Sequence, residues 1–146
     1  MKALFLSAVL SAFALGARAQ LTVGYYQSAL PFAGIGYGLL DGRLLPEARF
    51  DVDRFLGDGS VELVGTYAFF ERGDYEAYAG LGLRFGVVEG VPILLGVRAY
   101  PFARKRVGLH LETAGLLLSE SDGVSEMLLR GSLGVHVRFG EDAGGE

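Results

Sequence analysis

The chain contains no cysteine, which excludes disulfides, thiolate metal sites and cysteine nucleophiles. Its two histidines leave little for a histidine-built metal centre, and lysine occurs only at Lys2 and Lys105. The other basic residues are scattered arginines within a net charge of −4, so no basic patch points to nucleic acid. Beyond the first residues there is no uninterrupted apolar stretch approaching the ~20 residues that a spanning helix needs. A membrane-embedded form of the mature chain therefore cannot be helical. With 146 residues, there is chain enough for one well-buried domain and too little for two.

Glycine is what the sequence has in excess. Its 23 residues are about twice the usual share of ~7%, and glycine weakens helices. Hydrophobic residues, at 51%, suit a soluble core and a membrane surface equally. The opening segment is more specific. Met1 is followed by Lys2, an apolar run from Ala3 to Leu15, and the small-residue site Ala17-Arg18-Ala19 before Gln20. A charged start, a short apolar run and an Ala-x-Ala site predict a signal peptide over 1–19, cleaved so that the mature chain begins at Gln20. No cysteine stands at the cleavage point to carry a lipoprotein anchor.

The rest breaks into eight short runs: Leu21–Gln27, Phe32–Leu40, Leu45–Phe55, Val61–Phe70, Tyr75–Gly86, Val91–Phe102, Arg106–Leu118 and Ser125–Phe139. Between them stand Asp41-Gly42, Gly57-Asp58-Gly59, Arg72-Gly73-Asp74, Glu89-Gly90, Arg104-Lys105 and Ser121-Asp122-Gly123, mostly residues that supply the positive φ angles of tight hairpins. Several runs alternate with period two. From Tyr75, one face reads Tyr75, Ala77, Ala79, Leu81, Leu83, Phe85 and the other Glu76, Tyr78, Gly80, Gly82, Arg84, Gly86. No run is followed by a helical pattern, so the sheet should be antiparallel. An even number of strands closes without an exposed edge. The expected fold is all-β, an eight-stranded antiparallel up-and-down transmembrane barrel over 20–139, with a short tail at 140–146.

Alternation by itself fits a soluble lipocalin-like barrel with its apolar face inside. Three features favour the membrane. The polar face mixes isolated charges with many glycines, as a narrow lumen requires. Lysine, common on water-facing strands, is nearly missing. The last strand ends with Val135, Val137 and Phe139 on one face. Energetics agree, because Arg49, Arg84, Arg98, Arg130 and Arg138 share the polar face. At ~2–4 kcal/mol per arginine in mid-bilayer, turning them toward lipid would cost on the order of 10–20 kcal/mol.

Short segments then carry a family resemblance: Gly24-Tyr25-Tyr26, Leu30-Pro31-Phe32-Ala33-Gly34, Leu45-Pro46-Glu47-Ala48-Arg49, Tyr75 to Gly82, Tyr100-Pro101-Phe102 and Leu129-Arg130-Gly131-Ser132. With these the chain resembles the small outer-membrane β-barrel proteins of Gram-negative bacteria, of the OmpA/OmpX-like size class, and more particularly small barrels of Bacteroidota-type genomes. The resemblance implies fold and a cell outer membrane location. It also implies outer-membrane lipid and the barrel assembly machinery as partners, and it brings no site residues. The tail 140–146 departs from the pattern, in which an aromatic is the final residue.

No motif demands a cofactor, a metal or a small-molecule ligand. Gly34-x-Gly36-x-Gly38 lacks the following helix of a phosphate loop. Arg72-Gly73-Asp74 is three residues in an expected turn. Asp51 and Asp53, read as inward-facing, and Asp58 lack the spacing of a calcium loop. Folding the last hairpin about residues 121–122 puts His110 opposite Ser132 and Glu112 opposite Arg130, with Arg98 diagonal to Glu112. In the same way Glu62 faces Arg84. A hydroxyl beside an imidazole and a carboxylate could form an activated nucleophile. However, lipid-modifying small barrels place His and Ser two apart on one strand, and Ser119 and Ser121 lie far from His110. The expectation is therefore no catalytic residue, and interior ion pairs among Glu112, Arg130, Arg98, Glu62 and Arg84. The expected role is structural or surface-interacting in the cell envelope. The alternatives are a lipid-modifying outer-membrane enzyme and a soluble periplasmic carrier.

Overall fold

The computed structural model describes residues 20–29, 31–53, 59–102, 105–118 and 127–140. The expected leader at 1–19, the tail beyond Gly140 and the separator Ser121-Asp122-Gly123 lie outside the described residues. Eight strands follow one another: β1 (Gln20–Gln27), β2 (Phe32–Gly38), β3 (Leu44–Asp51), β4 (Val61–Arg72), β5 (Tyr75–Phe85), β6 (Gly90–Ala99), β7 (Val107–Leu118) and β8 (Met127–Phe139). Each pairs antiparallel with its neighbours in chain order, and β1 closes on β8, with Leu21 opposite Phe139 and Tyr25 opposite Val135. The short first run thus completes the barrel, and there is no helix among the described residues. The end where β1 starts and β8 stops is called the near end below; the other is the far end.

Local chemistry sets where the strands stop. The run expected to reach Phe55 leaves the sheet after Asp51, because the Asp53 N–H bonds to Asp51 Oδ1 at 3.1 Å, a side-chain turn that diverts the backbone. Asp53 consequently points to solvent instead of sharing the inward face with Asp51. β6 ends at Ala99, two residues before Pro101, which has no N–H to give. β4 runs on to Arg72 with a bulge between Ala68 and Phe70. It meets β5 at a two-residue Gly73-Asp74 turn, with Gly73 at φ +59° as a glycine-first hairpin turn requires. The hairpin between β2 and β3 is less relaxed. Leu40, Asp41 and Gly42 are all left-handed, at φ +53°, +58° and +87°, and only glycine takes that region without a steric cost.

Alternation sorts the wall. Most charged side chains of the strands point inward, among them Glu47, Arg49, Glu62, Arg84, Arg98 and Glu112, all buried, while Leu81 and Leu129, at 68% and 70% exposure, stand out from the opposite face. The outward side chains are aliphatic in the middle of the barrel, among them Ile35, Leu63, Ile93, Leu111 and Leu133. They turn aromatic toward the near end, while the far end mixes aromatics with aliphatic side chains such as Val91, Leu117 and Leu128. Tyr67, Phe70, Tyr75, Phe102 and Phe139 ring the near end, and Tyr25 and Phe85 stand at the far end. Among the described residues, no outward strand position between these rings carries a charge.

Candidate functional site

Eight strands enclose a bore just wide enough for side chains to fill, and this one is filled by charge. Arg49 of β3 reaches across to Glu112 of β7, donating from Nη1 to Oε1 at 2.7 Å and from Nη2 to Oε2 at 2.9 Å. Its Nε also donates to Glu47 at 3.1 Å. The guanidinium lies over the Tyr26 ring at 3.9 Å, and the Tyr26 hydroxyl donates to Glu47 at 2.7 Å. The Tyr78 hydroxyl donates to Glu112 at 2.9 Å. Arg49 and Glu112 are 1% and 2% exposed, so neither charge can fall back on bulk water. Burial of this kind is tolerable only with such complete pairing.

Two further knots flank this one. Toward the far end, Glu62 accepts from Arg84, opposite it in the β4–β5 register, at 3.1 Å, and from Arg130 Nη2 at 3.0 Å. Both guanidiniums approach the face of Phe32. Toward the near end, Glu76 sits between Arg98 at 3.7 Å and Arg138 at 3.2 Å, and accepts from the Tyr100 hydroxyl at 3.1 Å. Arg98 also lies over Tyr78 and donates to Thr66 Oγ1 at 2.8 Å.

The last hairpin differs from the turn-centred expectation. Its register is displaced by two residues, so Glu112 faces Ser132, His110 faces Gly134, and Arg130 faces Ala114. A two-residue shift keeps every side chain on its face. It nevertheless parts Glu112 from Arg130, which turns to Glu62 instead, and gives Glu112 to Arg49. Arg98 is diagonal to Glu112 across the β6–β7 register but extends toward Glu76.

The same shift parts Ser132 from His110. Nε2 of His110 has no hydrogen-bond partner, nor has either ring nitrogen of His136. Both imidazoles are held by rings: His110 lies 4.2 Å from Tyr26, and His136 stands edge-on to Tyr100 at 5.2 Å. Neither His110 Nε2 nor either nitrogen of His136 thus meets a hydroxyl of the kind that an activated nucleophile pairs with its base. Lumen glycines make room for these side chains. A Cβ at Gly134 would run into the Tyr25 carbonyl and His110, and one at Gly80 would meet the Gly65 carbonyl, so this part of the lumen has no space for even a small side chain.

The sequence marks Arg49 as inward without disclosing Glu47, Glu112 and the tyrosines as its partners, or Glu76 as the partner of Arg98 and Arg138. The spacing of Glu47 and Arg49, two apart on one face, was the available signal.

The fold has solved counterparts. The N-terminal β-barrel domain of Pseudomonas aeruginosa OprF superposes with a TM-score of 0.60 at 14% identity, covering 85% of this chain and 98% of that one. Neisserial surface protein A (NspA) superposes with a TM-score of 0.55 at 18% identity, covering 84% and 95%. At these identities the likeness is one of fold. No protein-family model and no curated protein matches the sequence.

Proposed function

We propose that the chain is an outer-membrane β-barrel with a structural or surface-interaction role in the cell envelope, and that it performs no enzymatic reaction. The observation that carries this is the inversion of the wall: five arginines and four glutamates face the lumen, while the belt between the aromatic rings carries no charge among the described residues. Lipid rewards that arrangement, and an aromatic girdle such as the one at the near end is a usual companion of it. A soluble carrier would need the reverse, with the apolar face enclosing its cargo. The likeness in fold to the OprF β-barrel domain and to a Neisserial surface protein supports the same address.

In this reading the near end faces the periplasm, Phe139 and its neighbours address the barrel assembly machinery, and outer-membrane lipid covers the belt. The connections are short, so a broad receptor surface built from long loops is not part of the proposal. The narrower resemblance to Bacteroidota-type barrels rests on short sequence segments alone. Cell fractionation followed by gel mobility with and without boiling tests the proposal. The expected result is mature protein, starting at Gln20, in the outer-membrane fraction with a heat-shifted band. Recovery only in the soluble periplasm would replace the proposal with the carrier. Lipid modification that disappears in Ser132→Ala would replace it with the enzyme.

A further inference from the structure

On the outer surface, β2, β3 and β4 carry a groove of about 700 Å³ near the near end. Ile35, Tyr37 and Leu63 wall it, and Pro46, Ala48 and Gly65 form its floor. Pro46 lies opposite Gly65, and Leu81 stands on the far side of Gly65. Two adjacent strands thus carry small side chains between larger ones, in a trough spanning strand spacings of ~4.8 Å each.

Gly65 makes the groove, and nothing inside the protein asks for it. A Cβ there would meet no atom within 4 Å, whereas lumen glycines such as Gly82 and Gly96 would collide with backbone or rings. What the missing side chain shapes is therefore the outside of the wall. An unfilled apolar recess forfeits contacts on one side, and a volume of this order is that of a ligand pocket, ~300–1,000 Å³.

The groove's near edge adds charge. Leu39, which also lines it, bridges to Leu44, and the next residue back is Arg43. Arg43 Nε lies 3.3 Å from Glu71 Oε2, and both side chains are exposed. A cation and an anion side by side at the rim complement the phosphate and ammonium of a zwitterionic headgroup. A second copy of the chain fits less well, since a two-fold contact would set recess against recess and leave both unfilled.

We propose that this groove holds one acyl chain of a membrane phospholipid, with its headgroup at Arg43 and Glu71. The inference rests on the membrane reading above and adds to it a specific lipid site. The experiment refolds the mature chain into vesicles of palmitoyl-oleoyl phosphatidylethanolamine and phosphatidylglycerol. It checks insertion by flotation, then counts retained lipid by native mass spectrometry after mild detergent extraction. One phospholipid should stay with the wild type. Gly65→Leu should lower its retention about tenfold, a loss of ~1.4 kcal/mol. Gly131→Leu is the matched control, because a Cβ at this other outward glycine also meets nothing within 4 Å, and retention should be unchanged. Arg43→Gln should weaken retention, phosphatidylethanolamine included; no change would overturn the headgroup assignment. A chain that floats but keeps no lipid, or a Gly65→Leu variant that keeps it like the wild type, overturns the site. A dimer lost in Gly65→Leu overturns it in favour of self-association. A chain that does not float overturns the membrane reading itself.

Discussion

Gly131 and Gly134 lie three residues apart on β8 and answer to opposite sides of the wall. A side chain at Gly134 would strike the Tyr25 carbonyl and the His110 ring; one at Gly131 would touch nothing within 4 Å. Inside, among the described residues, five arginines and four glutamates are paired with one another and glycines leave room for what stands beside them. Outside, the wall asks only that side chains be apolar and leaves their shape open. The inner face therefore determines whether this barrel can exist, and the outer face determines what it can be immersed in.

The hardest test of that contrast is the central knot. Arg49→Met leaves Glu47 and Glu112 buried without their cation, and should cost ~3–5 kcal/mol in unfolding by urea from vesicles. Adding Glu47→Gln and Glu112→Gln should return most of the loss, because the uncompensated charges go with them. A triple variant as unstable as the single one would mean that packing, not charge, holds the lumen. On the outer face, Leu81→Arg should cost ~2–4 kcal/mol if the site lies near the midplane. In a soluble protein, a residue 68% exposed would tolerate the change within ~0.5 kcal/mol.

Smaller effects sharpen the comparison. Gly82→Ala drives a methyl against the Leu63 carbonyl and should cost ~1–3 kcal/mol, as overpacking does. Gly131→Ala, measured in the same refolding assay, should stay within ~0.5 kcal/mol. Equal penalties would erase the distinction between the two faces. Opposite in sign, Leu40→Gly should stabilise the β2–β3 hairpin by up to ~1 kcal/mol, since it relieves a left-handed leucine at φ +53°. Part of that gain is offset by the chain entropy of glycine.

How far the sequence discloses this molecule depends on the range of the interaction. Strand identity and facing are local, and period-two runs such as Tyr75 to Phe85 display them directly. Pairing across a hairpin is readable where the turn is tight. Counting from Gly73 places Glu62 opposite Arg84; the turn is in fact Gly73-Asp74, and the bulge at Phe69 absorbs the one-residue difference. Between β7 and β8 the connecting residues 119–126 do not mark their own centre, and the register falls two residues away from the symmetric guess. Contacts across the bore are not readable at all. Arg49 and Glu112 stand 63 residues apart, and they meet only because a closed, tilted sheet carries β3 round to face β7.

The seam between β1 and β8 has a consequence in time. The strand synthesised first must wait for the last, since Leu21 of β1 finds Phe139 at the end of β8. Until then, an open sheet would present two bare edges, each a template for the wrong partner. It would also hold Glu62 without Arg130 and Glu76 without Arg138, because β8 brings two of the five lumen arginines. Joining the edges and completing the charge pairs are therefore one event. A ribosome or assembly factor that released the chain before β8 would release a sheet both sticky at its margins and unbalanced within.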